Sequence, residues 1–474
     1  MESLAPSVRT PCVCLRSRDS DLDFLDESDG ILPAILLTDS PCHKSCMRSE
    51  IIRSEMVDYI KNPSELQKES HVDTLIVIGT AKGYADHLHW VCDEILPILR
   101  PIVSRGVTSN NNYGAEEAPK AKKMKLDSDS RIDLIRSIAG ALQPSPDSPV
   151  STEHWFVGGL ETKDIIERGQ LHSTTSKPLK IVLGALPPSV SRHNSPGQPH
   201  GIVNLLKKHY RPKESTVVVT LCEQKDYVLS SACAIARVGG ISYQRKSGGT
   251  YGLVLNGKTE NPETRETSSP IPTVKSLFPY ALTQAELDHF SHISEGIRLT
   301  RRLVDAPCND LHTDAFVEEA LSGVKDLPNV TTRVIKGKEL QSKGFGGLYG
   351  VGKAASHPPA MVILMYNPEG SSGVKPTVMV GKGIVYDTGG LSMKSPASML
   401  GMKRDMGGAG AILSAFICAA KSGIRKPFHA VLCIAENAVG PTATRPDDVH
   451  TLYSGKTVEI NNTDAVRAIH KDEG

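Results

Sequence analysis

The sequence lacks most of what would place a protein in a membrane, outside the cell or on a nucleic acid. No apolar run approaches the roughly 18 residues a membrane-spanning helix needs. The N-terminus has no basic-then-apolar order of a secretory leader, because acids crowd between Asp19 and Asp29. The expected location is therefore the cytosol. Lys and Arg total 54 against 53 Asp and Glu, a net charge of +1. So even a balance gives no global field for nucleic acid or an anionic membrane, and neither is expected as a partner. The ten cysteines are scattered over 474 residues and make no disulfide framework. Cys233, Cys418 and Cys433 sit in apolar stretches, where a free thiol behaves as a small buried hydrophobe. The tightest group, Cys42, His43 and Cys46, has no second ligand pair at zinc-site spacing. There are no internal repeats.

What is present is alternating strand and helix patterning, interrupted by polar segments. Residues 1–71 mix acids, proline and short apolar patches and read as a poorly determined extension. An N-terminal α/β domain is expected over 72–255. Its strands are expected at 72–79, 180–183 and 216–221, and its helices at 85–103, 201–209 and 226–238. Within it, 106–130 is polar and expected to be a disordered insertion. The basic run between Lys120 and Lys125 has the look of a nuclear localisation signal, although short lysine runs are common in solvated loops. A polar segment, 256–282, reads as a linker. The amphipathic pattern over 283–304 predicts a long helix, with Leu287, Phe290, Ile293, Ile297 and Leu303 among its apolar positions. Beyond it, strands are expected at 361–366, 377–380, 430–434 and 457–460, and a helix of small and apolar residues at 407–420. Such alternation implies a mixed, mainly parallel sheet with ligands gathered at the C-terminal ends of strands.

Charged residues cluster where these strands end. Gly381-Lys382-Gly383 follows one strand, and Asp387 precedes the pair Gly389-Gly390. Lys394 lies in the next loop, Asp405 precedes Gly407-Gly408, and Asn462-Thr463-Asp464 follows the last strand. Asp387, Asp405 and Asp464 would then converge near one edge of the sheet. Clustered carboxylates repel unless cations compensate them. Oxygen-rich clusters suit divalent metals, and paired metals are a familiar hydrolytic arrangement. A lysine beside such a pair can serve as a neutral amine ligand. The alternative is that the glycine pairs are ordinary turns and the acids are solvated.

Taken in order, these motifs resemble the leucyl aminopeptidase family of di-metal exopeptidases. The stretch from Gly381 to Lys394 is similar to its first metal-binding segment, and that from Met402 to Ala409 to its second. Asn462-Thr463-Asp464-Ala465 resembles the start of its Asn-Thr-Asp-Ala-Glu-Gly-Arg signature. Segments 303–310 and 344–350 resemble the opening of its catalytic domain. More loosely, 191–196 resembles the family's animal branch. The resemblance implies a small N-terminal α/β domain, a linking helix and a C-terminal α/β catalytic domain, over 283–474 here, assembled as homo-hexamers. It implies that Lys382, Asp387, Asp405 and Asp464 are metal ligands for two divalent ions (zinc or manganese, or magnesium). Lys394 is then the catalytic lysine that polarises the scissile carbonyl. The implied substrates are peptides with free N-termini, whose amino group the metals bind while activating a water.

The resemblance stops at Val466. The family continues Glu-Gly-Arg, whereas this chain continues Val466-Arg467-Ala468 and ends at Gly474. The missing Glu would bridge both metals, and Arg467 is one position early for the family's catalytic arginine. The expectation is a truncated catalytic domain with impaired activity, the tail reading as retained intron or a misplaced exon end. A non-catalytic subunit or peptide-binding protein of the same family is the alternative.

Overall fold

The computed structural model describes residues 57–68, 72–96, 99, 137–139, 141–144, 148–156, 179–212, 214–240, 243 and 274–465. The Cys42 group, the Lys120–Lys125 run and the tail from Val466 lie outside them. The described residues fall into two compact units, divided between Arg298 and Leu299.

The first unit is a six-stranded sheet with strands β1 (Val57–Tyr59), β2 (Thr74–Gly79), β3 (Val150–Phe156), β4 (Leu179–Ala185), β5 (Thr216–Leu221) and β6 (Val274–Leu277). Their spatial order is β1-β6-β5-β2-β4-β3. Every neighbouring pair is parallel except β3 with β4. The three central strands are buried along their whole length, as strands covered on both faces must be. Side-chain alternation divides them between two cores. Leu75, Val77, Val217 and Val219 meet Tyr84 and Leu88 of helix α1 (Ala81–Trp90) on one face. Ile76, Ile78 and Val218 meet Ile202 and Leu206 of α2 (Pro199–His209) and Ala232 and Ile235 of α3 (Val228–Val238) on the other.

Two segments outside the expected domain therefore supply strands. Val57–Tyr59 lies in the expected extension and Val274–Leu277 in the expected linker, and they pair with each other in parallel register. Strands of three or four residues carry too little pattern to stand out, and their pairing partners define them.

The second unit begins within the long helix α4 (Gln284–Asp305), near the span its periodicity predicts. Helix α5 (Thr313–Val324) follows, then β7 (Val330–Lys336), α6 (Gly346–Gly352), β8 (Ala360–Tyr366), β9 (Thr377–Asp387), α7 (Gly407–Lys421) and β10 (Phe428–Asn437). The sheet order is β7-β8-β10-β9, antiparallel at the first two pairings and parallel at the last. The expected mixed sheet is present, with its parallel pairing at the β9–β10 end. Ile335, Leu348, Met361, Ile384 and Cys433 pack together on one face. Arg302 of α4 grips Glu319 of α5 with two hydrogen bonds of 3.0 and 2.6 Å. Thr300 donates to Ser414 of α7 at 2.8 Å. The strand expected at 457–460 is β12 (Thr457–Glu459), which pairs with β11 (Val449–Thr451) in a separate two-stranded ladder. It belongs to a hairpin and not to the main sheet. No described helix is long and apolar enough to cross a membrane.

Candidate metal centre

Strand β9 continues past the expected end at Val380, through Gly381-Lys382-Gly383, to Asp387. The glycines here are therefore strand residues. A Cβ on Gly381 would come within 2.6 Å of the Cα of Ala409, so this glycine lets α7 lie close on β9. Lys382 and Asp387 are five residues apart, and in a regular strand an odd spacing puts side chains on opposite faces. The ladder with β10 slips, however: Ala435 faces Ile384 and Asn437 faces Asp387, so two residues of β10 span three of β9. Such a bulge re-phases the strand. Both side chains thereby serve one site.

Lys382 Nζ donates to Asp405 Oδ2 at 2.5 Å. Asp405 closes the helical turn Met402–Arg404, just before α7. Lys394 Nζ donates to Asp464 Oδ1 and lies 3.6 Å from Asp387 Oδ2. All five sequence-expected residues, Lys382, Asp387, Lys394, Asp405 and Asp464, are thus brought together. Three carboxylates against two ammonium groups leave one net negative charge among them. Burial raises the Asp405 carboxyl above its usual range; Lys382 opposes this, and the charge of Asp387 adds to it. For Lys394, burial lowers the pKa, but the hydrogen bond to Asp464 and the charges of Asp387, Asp464 and Asp405 prevail and raise it.

The loops are joined by groups to which the sequence assigned no role: Asn437, which it did not single out, and Thr463, quoted only as part of a motif. Asn437 Nδ2 donates to Asp387 Oδ1 at 2.8 Å and to the Thr463 carbonyl at 3.1 Å. Thr463 Oγ1 donates to the Gly389 carbonyl at 2.7 Å and accepts from the Ser392 amide at 2.8 Å. Gly390 has φ +63°, and a Cβ there would lie 2.9 Å from Asn437 Oδ1. Asn, Ser and Thr at loop positions carry no chemical signal in sequence, since turns use them everywhere. A small cavity lies beside the loops, lined by Val351, Gly390, Asn437, His450, Ile460 and Thr463 among others.

Two further clusters involve none of these residues. In the second unit, His312, Asp314 and His357 offer ligand atoms within 4.8 Å of one another. Their bonds are already committed. His312 Nδ1 accepts from the Ala315 amide, and the two imidazoles stack 3.7 Å apart. Asp314 receives Lys336 at 2.7 Å and His357 at 2.9 Å. Burial would raise the Asp314 carboxyl, but these two bonds outweigh it and hold it low. A cation would have to displace Lys336 at the positive end of α5, which disfavours a metal there. In the first unit, His209 Nε2 lies 2.7 Å from Ser151 Oγ, and its Nδ1 lies 2.6 Å from Glu153 Oε1. The His209 ring is fully buried and Glu153 faces solvent. That is the reverse of a hydrolase triad, where the acid is the shielded member.

Comparison with known proteins places the chain in a family. The pattern of the cytosol aminopeptidase family, catalytic domain, matches residues 298–466, and that of the M17 aminopeptidase N-terminal domain 2 matches 161–249. The human protein described as probable aminopeptidase NPEPL1 is 46% identical over 334 residues, 69% of this chain and 58% of that protein. Leucine aminopeptidase 1 of Caenorhabditis elegans is 42% identical over 282 residues, 59% of this chain and 53% of that protein. The chain thus spans between half and three-fifths of the length of these curated relatives. The solved structure of the C. elegans leucine aminopeptidase superposes with a TM-score of 0.62 at 31% identity, covering 88% of this chain and 70% of that one. Shared fold, shared motifs and this coverage together establish that the chain belongs to the M17, or cytosol aminopeptidase, family.

Proposed function

We propose that the protein is built as a metal-dependent aminopeptidase that removes N-terminal residues from peptides, working in the cytoplasm as a homo-oligomer. The observation that carries this reading is the convergence of Asp387, Asp405 and Asp464 with Lys382 and Lys394 at the ends of β9, the helical turn and the hairpin. Three carboxylates short of compensating charge suit divalent cations, so the donor set fits the metal dependence of the family. Lys382, Asp387, Asp405 and Asp464 would hold two ions, zinc or manganese, with magnesium as the harder alternative. When bound, the ions supply Lewis-acid polarisation, a low-pKa water and an anchor for the peptide's free amino group.

The chain's own groups supply the rest. Lys394, on a loop at the rim and largely shielded from water, can donate to negative charge developing on a scissile carbonyl oxygen. Asp387 and Asp464 hold its ammonium in place. Lys382, as an ion-paired ammonium, must shed its proton before it can act as a ligand.

One observation favours a second reading, a non-catalytic peptide-binding member of the family: Val466 stands where the family signature has a bridging Glu. The test compares this chain with a version in which Glu-Gly-Arg follows Ala465 and the family's C-terminal segment is present. Both are offered a leucyl peptide and its N-acetylated form with manganese. Release of leucine from the free peptide alone, at least by the completed version, is the expected result. No release by either would overturn the catalytic reading and leave the binding one.

A further inference from the structure

We infer that Asn437 is the positioning residue of this centre, fixing the Asp387 carboxylate so that one oxygen is held and the other is turned to the cation. The inference rests on reading Asp387 as a metal ligand. Asp387 is buried, with its side chain 3% exposed, so its orientation is set by protein donors and not by water. Oδ1 accepts two of them, from Asn437 Nδ2 at 2.8 Å and from the Gly389 amide at 2.9 Å. Oδ2 is the atom that faces Lys394, the resident cation. A carboxylate with one oxygen doubly bonded in this way has little freedom to rotate.

The second amide proton of Asn437 goes to the Thr463 carbonyl, one residue before Asp464. The backbone carbonyl of Asn437 separately accepts from the Thr388 amide at 3.1 Å and the Thr388 hydroxyl at 2.7 Å, bonds that any residue at 437 would keep. Through Nδ2, one buried side chain ties the end of β9, which carries Asp387, to the segment after β12, which carries Asp464, and sets the gap between two of the expected ligands. The bulge between β9 and β10 places Asn437 opposite Asp387, and without that slip it would face Tyr386. Alanine or leucine at 437 would leave the backbone ladder but remove the donor, and leucine keeps the branched shape at a larger volume. A bond to a ligand's uncoordinated oxygen typically changes metal affinity by roughly 10- to 100-fold.

The test uses the whole chain and two readouts. In Asn437→Ala and Asn437→Leu, metal-free hydrogen exchange of the Gly389 amide should rise at least about tenfold, in proportion to the lost order. Amides of β8 should keep their protection, which marks the effect as local. Calorimetric titration with Mn2+ should show affinity weakened in the range above for both variants. Unchanged exchange at Gly389 overturns the inference whatever the metal does. Raised exchange with manganese affinity within twofold of the parent also overturns it, because Asn437 would then be a structural tie alone. If the parent takes up no manganese, Gly389 exchange still decides whether Asn437 holds Asp387. The metal reading of the centre then fails separately.

Discussion

Gly381 lies so close beneath Ala409 that a single added methyl group would stand 2.6 Å from the Ala409 Cα. That contact sets how near α7 comes to β9, and therefore where Lys382 and Asp405 meet. Overpacking at such a point typically costs about 1–3 kcal/mol, because neither a strand nor a helix backbone can give way cheaply. Gly381→Ala should lower the unfolding free energy by about that amount in urea titration. It should also weaken manganese uptake. A stability equal to the parent's would show that α7 can shift freely.

Lys394 is expected to act on the reaction more than on binding. In a chain completed with Glu-Gly-Arg, Lys394→Ala should lower kcat by roughly 100- to 1,000-fold, the range seen for loss of one oxyanion donor. KM should move far less. Turnover within a few-fold of the parent would remove Lys394 from the mechanism.

Replacing Val466 by Glu and restoring the following Gly-Arg should tighten binding of manganese or zinc. An apolar side chain offers no ligand, and metal sites depend on ligand type and count. Titration calorimetry of the two chains decides the matter, and equal affinities would exclude a bridging role at this position.

Stability should also fall in mild acid because of His209 in the first unit. Burial depresses its pKa below the ordinary 6.5, with Glu153 only partly offsetting this. The unfolded chain therefore takes up a proton first as pH drops through about 6.5. Folding stability is fully present above that value and is lost progressively toward the lower, folded pKa. Glu153, likewise held low by Lys180 and His209 against burial, adds a loss further into acid, below its ordinary 4.5. Urea unfolding from pH 7.5 to 5.5 should show the decline, and His209→Asn should flatten it. A slope unchanged in the variant would assign the acid sensitivity elsewhere.

Much of the architecture was legible because buried parallel strands announce themselves. Runs such as 74–79 and 216–221 are apolar on both faces, and the period of α4 is plain over six turns. What escaped had a physical reason in each case. β9 was expected to stop at Val380 because Gly-Lys-Gly imitates a turn, while its glycines serve the packing of α7. β1 and β6 are too short to carry a pattern of their own. The five charged residues of the site could be named because the order of their motifs resembles a known family. The bulge that puts Lys382 and Asp387 on one side could not, since it exists only in the pairing of two strands. Asn437 was invisible for the same reason, and Thr463 was quoted in a motif but given no role: their importance lies in partners fifty and seventy-four residues away.

Those separations bear on how the chain acquires the site during folding. Asp464 follows a hairpin outside the main sheet, and its contact with Lys394 closes a loop of 70 residues. Closing a long loop is entropically costly and is repaid only when many contacts form together. The neighbouring β7–β8 antiparallel pairing needs a far shorter excursion and can form early. In refolding, a fluorescent probe beside Lys394 should accordingly lag behind one on β8. The carboxylates then meet only after the surrounding framework is in place, so half-folded chains pass through their most aggregation-prone stage without a formed metal centre.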